Sequence, residues 1–140
     1  MPIEIAGPWK LIAWRRLEGD KVTYPLGEDA TGLLIYTADF KMAVQIAAAH
    51  RPAISSDDPL GGDAEQRAAA YSTCLAYLGS YEVQGETVIH KVDASLYPNW
   101  SGATQSRPFT FDEKKLVLRT PPAEGAAGGT VVNEISWLRA

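Results

Sequence analysis

The sequence predicts an all-β protein, an up-and-down antiparallel barrel of about eight or nine strands with one helix capping an end. Three observations predict it. Short runs that alternate apolar and polar residues recur along the chain, the period of a half-buried strand. Turn signals built from Gly, Pro and Asp separate the runs at hairpin-like spacing. Only one stretch switches to the helical period.

The first strand runs from about Trp9 to Leu17, with Trp9, Leu11 and Ala13 on one face and Gly19-Asp20 ending it. A short strand at Val22–Tyr24 is stopped by Pro25 and Gly27. Leu33–Thr37 and Met42–Ile46 form a hairpin across Ala38-Asp39-Phe40-Lys41. From Ala64 to Leu78, the residues Ala64, Ala68, Tyr71, Leu75 and Leu78 recur at spacings of four and three, a helical stripe. Asp63 with Gln66 makes a capping box, and Gly79 is placed as the helix stop, so a helix is expected over Asp63–Leu78. Strands follow at Ser80–Gln84, Thr87–Ser95, Ala103–Phe111, Leu116–Thr120 and Val131–Arg139. The Arg51–Gly62 and Pro121–Gly129 loops are rich in Pro and Gly and too short to be domain linkers.

A length of 140 residues suits one domain, residues 1–140, with a single core. The composition, 46% hydrophobic and 21% charged, is that of a globular chain. A net charge of -4 argues against nucleic acid or an anionic membrane as partner, because both attract basic surfaces. The start lacks a basic region followed by an apolar run, and no apolar stretch approaches membrane-spanning length, so a cytoplasmic location is expected. One cysteine, Cys74, precludes an intrachain disulfide. With two histidines and that cysteine, no metal site and no cofactor are expected. No phosphate-binding loop or nucleophile elbow is present.

Alternation sorts the polar residues by face. Val88, His90, Val92 and Ala94 share an inward face. Gln105, Arg107, Phe109 and Phe111 share another, and Tyr81 with Val83 a third. A buried arginine is costly without a partner, so an interior holding Arg107, His90, Gln105 and Tyr81 reads as a wet or ligand-filled cavity. The competing reading keeps His90 as a structural residue bonded to a tyrosine or a carbonyl. It pairs Arg107 with Glu82, Glu86 or Glu134 at a barrel end, and makes Tyr36, Tyr77 and Tyr81 ordinary core aromatics.

Several stretches resemble one family. They are Gly7-Pro8-Trp9, Tyr24-Pro25-Leu26-Gly27, Gly32-Leu33-Leu34-Ile35-Tyr36-Thr37, His50-Arg51-Pro52, Ala76-Tyr77-Leu78-Gly79-Ser80-Tyr81 and Val88-Ile89-His90. Ser95-Leu96-Tyr97-Pro98-Asn99-Trp100-Ser101-Gly102, Gln105-Ser106-Arg107 and the closing Trp137-Leu138-Arg139 complete the pattern. Over nearly its whole length the chain resembles the intracellular bacterial and fungal lipocalin-like domain family. The resemblance implies a barrel with a central cavity, closed at one end by a first-strand tryptophan under a late arginine, and partly lidded by the helix. It implies no single activity, and some similar barrels act as cyclases or isomerases. One departure is Ala38-Asp39-Phe40-Lys41, where the family has a glycine-containing turn, so Phe40 alters that rim.

Two function classes follow. In the first, the barrel binds a mostly apolar metabolite with a carbonyl, phenol or carboxylate end, as a monomer or homodimer. Tyr36, Gln45, Arg51, Tyr77, Trp100, Gln105 and Phe109 are the candidate ligand contacts. In the second, the same cavity is a cofactor-free cyclase or isomerase of a polyketide- or terpenoid-like intermediate. There His90 is the proton shuttle, Arg107 stabilises developing negative charge and Tyr81 is a further donor.

Overall fold

The computed structural model describes residues 5–124 and 129–140. The middle of the Pro121–Gly129 loop and the first four residues lie outside them. Ten strands and one helix follow one another as β1 (Gly7–Glu18), β2 (Lys21–Thr23), β3 (Thr31–Tyr36), β4 (Lys41–Ala47), α1 (Ala64–Ser72), β5 (Cys74–Gln84), β6 (Thr87–Ser95), β7 (Thr104–Phe111), β8 (Lys115–Arg119), β9 (Ala123–Glu124) and β10 (Thr130–Arg139). Strands β1, β3, β4, β5, β6, β7, β8 and β10 pair antiparallel in that order, and β10 returns to β1 to close the barrel. The two-residue β9 and three-residue β2 are extra strands beside β10 and β1. Closure removes the open edges that an eight-stranded sheet would otherwise expose.

The alternation of the sequence becomes the wall of the barrel. Met42, Val44 and Ile46 of β4 are buried while Lys41, Ala43 and Gln45 are exposed. Register sets Trp9, Leu34, Val44 and Tyr77 side by side as one interior layer. The hairpins β3–β4, β5–β6 and β7–β8 gather at one end with the start of β1 and the end of β10. There Trp9 is fully buried and donates from Nε1 to Ile5 O at 2.8 Å. The Arg139 guanidinium lies 4.1 Å from the Trp9 ring centre, the stacked pair that the chain ends predict. This end is closed. Phe40 takes φ 70, the left-handed conformation usually left to glycine, so the turn keeps a glycine-like geometry while carrying an aromatic ring.

Two expectations need correction. The helix ends at Ser72, capped by Thr73, and Leu75, Tyr77 and Leu78 belong to β5. The capping box at Asp63 and Gln66 is present, so the helix start was legible. The stop was not, because Tyr71, Leu75 and Leu78 satisfy a helical spacing while Leu75, Tyr77 and Tyr81 also satisfy strand alternation. A bulge lies between β5 and β6, where Gly79 faces Val92 and Leu78 faces Ala94, leaving Asp93 as the extra residue of β6. A Cβ at Gly79 would run into the Lys91 carbonyl oxygen, so only glycine lets the two backbones approach. The bulge turns Ala94 outward and Ser95 toward Tyr77, contrary to simple alternation. That outward Ala94, expected inward, is the second correction. None of the residues of α1 is buried and Tyr71 is 45% exposed, and the helix rims the end opposite the Trp9–Arg139 plug as a partial lid.

Candidate functional site

Three strands bring one polar chain into the interior. Tyr36 ends β3, Tyr77 lies in β5 and His90 in β6, all with side chains at most 9% exposed. The Tyr36 hydroxyl is 2.6 Å from His90 Nε2, and the Tyr77 hydroxyl is 2.7 Å from His90 Nδ1. Because β4 and β5 separate β3 from β6 in the wall, the Tyr36–His90 bond crosses the lumen instead of running along it. Burial, aided by the nearby Arg107 charge, lowers the His90 pKa to about 3, so the ring is neutral at physiological pH. Burial raises both tyrosines, Tyr36 well above its usual value, and they keep their protons.

Arg107 stands on β7 opposite Val88, one inward position along from the His90–Gln105 pair. It is 8% exposed. It donates to the Ser106 carbonyl and to Gln105 Oε1, both at 3.0 Å. Among the described residues no carboxylate lies within ion-pair distance. Glu134 is engaged outside the barrel by Arg119 at 3.2 Å and Arg15 at 3.5 Å, and Glu82 meets Lys91 at 3.9 Å. The guanidinium lies near the Tyr77 hydroxyl, where it opposes the upward shift that burial imposes. Each reading from the sequence is therefore half met: His90 does bond tyrosines, whereas Arg107 is not neutralised by an acid.

The other candidates divide by position. Tyr81 is buried and stacks 4.5 Å from Tyr36, but its hydroxyl donates to Thr37 O at 2.7 Å, toward the closed end. Phe109 is buried on the face of Arg107, and Gln105 is partly buried as its hydrogen-bond partner. Trp100, on the short turn Pro98–Trp100, packs edge-on to Tyr77 at 5.7 Å. Gln45 and Arg51 are not brought to the interior. Gln45 is exposed on the outer face of β4, since Val44 and Ile46 take the inward positions. Arg51 is exposed and donates to Thr73 Oγ1 and Ala70 O, tying its loop to the end of α1. At the α1 end, a pocket of about 270 Å³ lies among Trp14, Leu26, Tyr71, Leu75, Leu96 and Tyr97.

Two interior groups escaped the sequence reading. Trp137 is 1% exposed, and its Nε1 has no hydrogen-bond partner among the described residues. The alternation of β10 would have placed it inward beside Leu11 and Leu116. The Ser95 hydroxyl is likewise buried without a partner, and only the bulge puts it there. Among the described residues no group of three or more potential ligands could hold a metal ion. No helix among them is long and apolar enough to cross a membrane.

The profile of the lipocalin-like domain matches residues 6–139. A protein of Aspergillus oryzae named 4'-hydroxy-3'-methoxypropiophenone carrier protein ppsC is 35% identical over 87 residues, which cover 56% of this chain and 78% of that protein. Among solved structures, a point mutant of the fluorescent protein UnaG aligns with 97% of this chain and 96% of its own, at 14% identity and a TM-score of 0.41.

Proposed function

The chain belongs to the lipocalin-like domain family, and from that premise we propose that it binds and carries a small, mostly apolar molecule whose polar end is a carbonyl, phenol or carboxylate. The observation that carries this reading is Arg107, buried on an inward position with no acid beside it among the described residues. A guanidinium has five N–H donors, and the bonds to Ser106 O, Gln105 Oε1 and the Tyr77 hydroxyl leave capacity for a ligand oxygen. Retaining an uncompensated charge in an apolar interior opposes stability, a cost that a bound polar group offsets. Aromatic walls, with Trp100, Tyr77 and Phe109 among them, suit a flat ring. The carrier relative is named for an aryl ketone that also bears a phenol, which fits both the donors and the walls.

The enzymatic alternative draws less support. A general acid or base works best with a pKa near the operating pH, and His90, with a pKa of about 3, is held neutral between two tyrosines. We assign it to orienting a ligand instead of shuttling protons. The test is a titration of 4'-hydroxy-3'-methoxypropiophenone against the intrinsic tryptophan fluorescence. Saturable quenching is expected, weakened at least tenfold in Arg107→Met. If the wild-type protein shows no saturable response, this reading fails for aryl ketones. Conversion of the ketone to a new product on incubation would restore the enzymatic one.

A further inference from the structure

Counting protons along the interior chain leads one step further, and the step rests on the carrier reading above. Tyr36 and Tyr77 bring one O–H each, and neutral His90 brings a single N–H. Two hydrogen bonds join the three groups, Tyr36–His90 and His90–Tyr77. Each bond consumes one proton, so one proton is left over whichever ring nitrogen is protonated. It resides on Tyr36 if Nε2 carries the histidine proton, and on Tyr77 if Nδ1 does.

Arg107 decides between the two. Its charge reaches both tyrosines, but the guanidinium hydrogen-bonds to the Tyr77 hydroxyl. A positive donor there favours Tyr77 presenting lone pairs to Arg107 and turning its own proton toward His90 Nδ1. His90 Nε2–H then donates to the Tyr36 oxygen. The Tyr36 proton is left with no further partner among the described residues, on a side chain that is 0% exposed. The other interior groups are mostly donors or already engaged: Trp137 Nε1 is a second unpartnered donor, the Tyr81 proton is committed to Thr37 O, and the Ser95 hydroxyl, which could accept, lies beside Tyr77 and not Tyr36. The charged groups nearest His90 reduce to Arg107, and its other ring neighbours are Tyr36 and Tyr77.

We propose that His90 carries its proton on Nε2, that the Tyr36 hydroxyl is the donor reading the ligand, and that the site therefore selects a carbonyl oxygen over a hydroxyl. A ketone oxygen accepts and brings no proton of its own. An alcohol in the same place can accept, but its own proton then needs an acceptor, and the unpartnered Ser95 hydroxyl lies on the Tyr77 side of the bridge, away from Tyr36. A buried donor left unpaired is the more costly outcome.

Two measurements test it. The first needs no ligand: nitrogen-15 NMR of the imidazoles, with His90 assigned by its loss in His90→Phe. A protonated Nε2 and an unprotonated Nδ1 are expected; the opposite tautomer, or exchange between the two, overturns the proposal. The second compares propiophenone with 1-phenylpropan-1-ol on the wild-type protein and on Tyr36→Phe. The ketone should bind at least tenfold tighter to the wild type, and Tyr36→Phe should reduce that preference to within about twofold. Equal affinities for the two probes in the wild type overturn the proposal and leave the carrier reading standing. If neither probe binds, the carrier reading for aryl ketones falls, and the NMR result alone decides the tautomer.

Discussion

Two arginines face the inside of this barrel, and they are held in opposite ways. Arg139, at the closed end, lies 4.1 Å over the Trp9 ring and 5.9 Å from Phe111, and donates to Ala6 O at 2.9 Å and Glu113 O at 3.3 Å. Its charge meets π faces and carbonyl oxygens that tie the two ends of the chain together. Arg107, at mid-barrel, bonds its neighbour's carbonyl, one amide oxygen and the Tyr77 hydroxyl, and no carboxylate among the described residues pairs with it. Arg139 serves the fold. Arg107 ties no distant parts of the chain together, which supports the ligand role proposed for it.

The largest effect that would sharpen this contrast comes from the aromatic partner of Arg139. Trp9→Ala removes a fully buried indole, the hydrogen bond to Ile5 O and the surface under Arg139, and should cost about 3–5 kcal/mol by chemical denaturation. A melting temperature within a degree or two of the parent would break the plug assignment. Next in size is an acid effect at mid-barrel. The His90 pKa lies near 3 in the folded chain, below its unfolded value of 6.5, so the unfolded chain takes up the proton first. The stabilising increment is whole above pH 6.5 and drains as pH falls toward 3, at about 1.4 kcal/mol per pH unit. Stability measured at pH 6.5 and 4.5 should therefore drop more steeply for the parent than for His90→Gln, whose amide does not titrate in this range. Arg139→Met should cost about 0.5–2 kcal/mol and leave ligand binding unchanged. Arg107→Met should be the smallest in stability, neutral or slightly stabilising, because it removes a buried charge. If Arg107→Met unfolds the protein while Arg139→Met does not, the division of labour drawn here is reversed.

The closed end was legible through resemblance, because Gly7-Pro8-Trp9 and Trp137-Leu138-Arg139 match the ends of the family's barrels, and Trp9 and Arg139 pair in register. The inward placement of His90 and Arg107 was legible because each lies on a strand stretch of regular alternation. What alternation does not carry is distance across the lumen. The Tyr36–His90 bond joins strands that are not neighbours in the sheet, so no local spacing announces it. The end of α1 was hidden because its apolar spacing runs on into β5, and the facing of Ala94 and Ser95 hangs on the bulge beside the close backbone approach of Gly79 and Lys91. Gln45 and Arg51 lie away from the interior for simpler reasons. Gln45 obeys the alternation of its own strand, and Arg51 precedes a proline in a loop outside the barrel wall.

The tyrosine–histidine–tyrosine bridge also braces the barrel along its axis. Tyr77 stands level with Ser95, and His90 lies five residues along β6 from that point, at about 3.3 Å each on a strand tilted about 40°. The backbone anchors of the Tyr77–His90 bond are therefore roughly 12 Å apart along the barrel axis. In the proposed carrier role such a crossbar would turn away a long acyl chain. It would stand there even with every one of its protons rearranged.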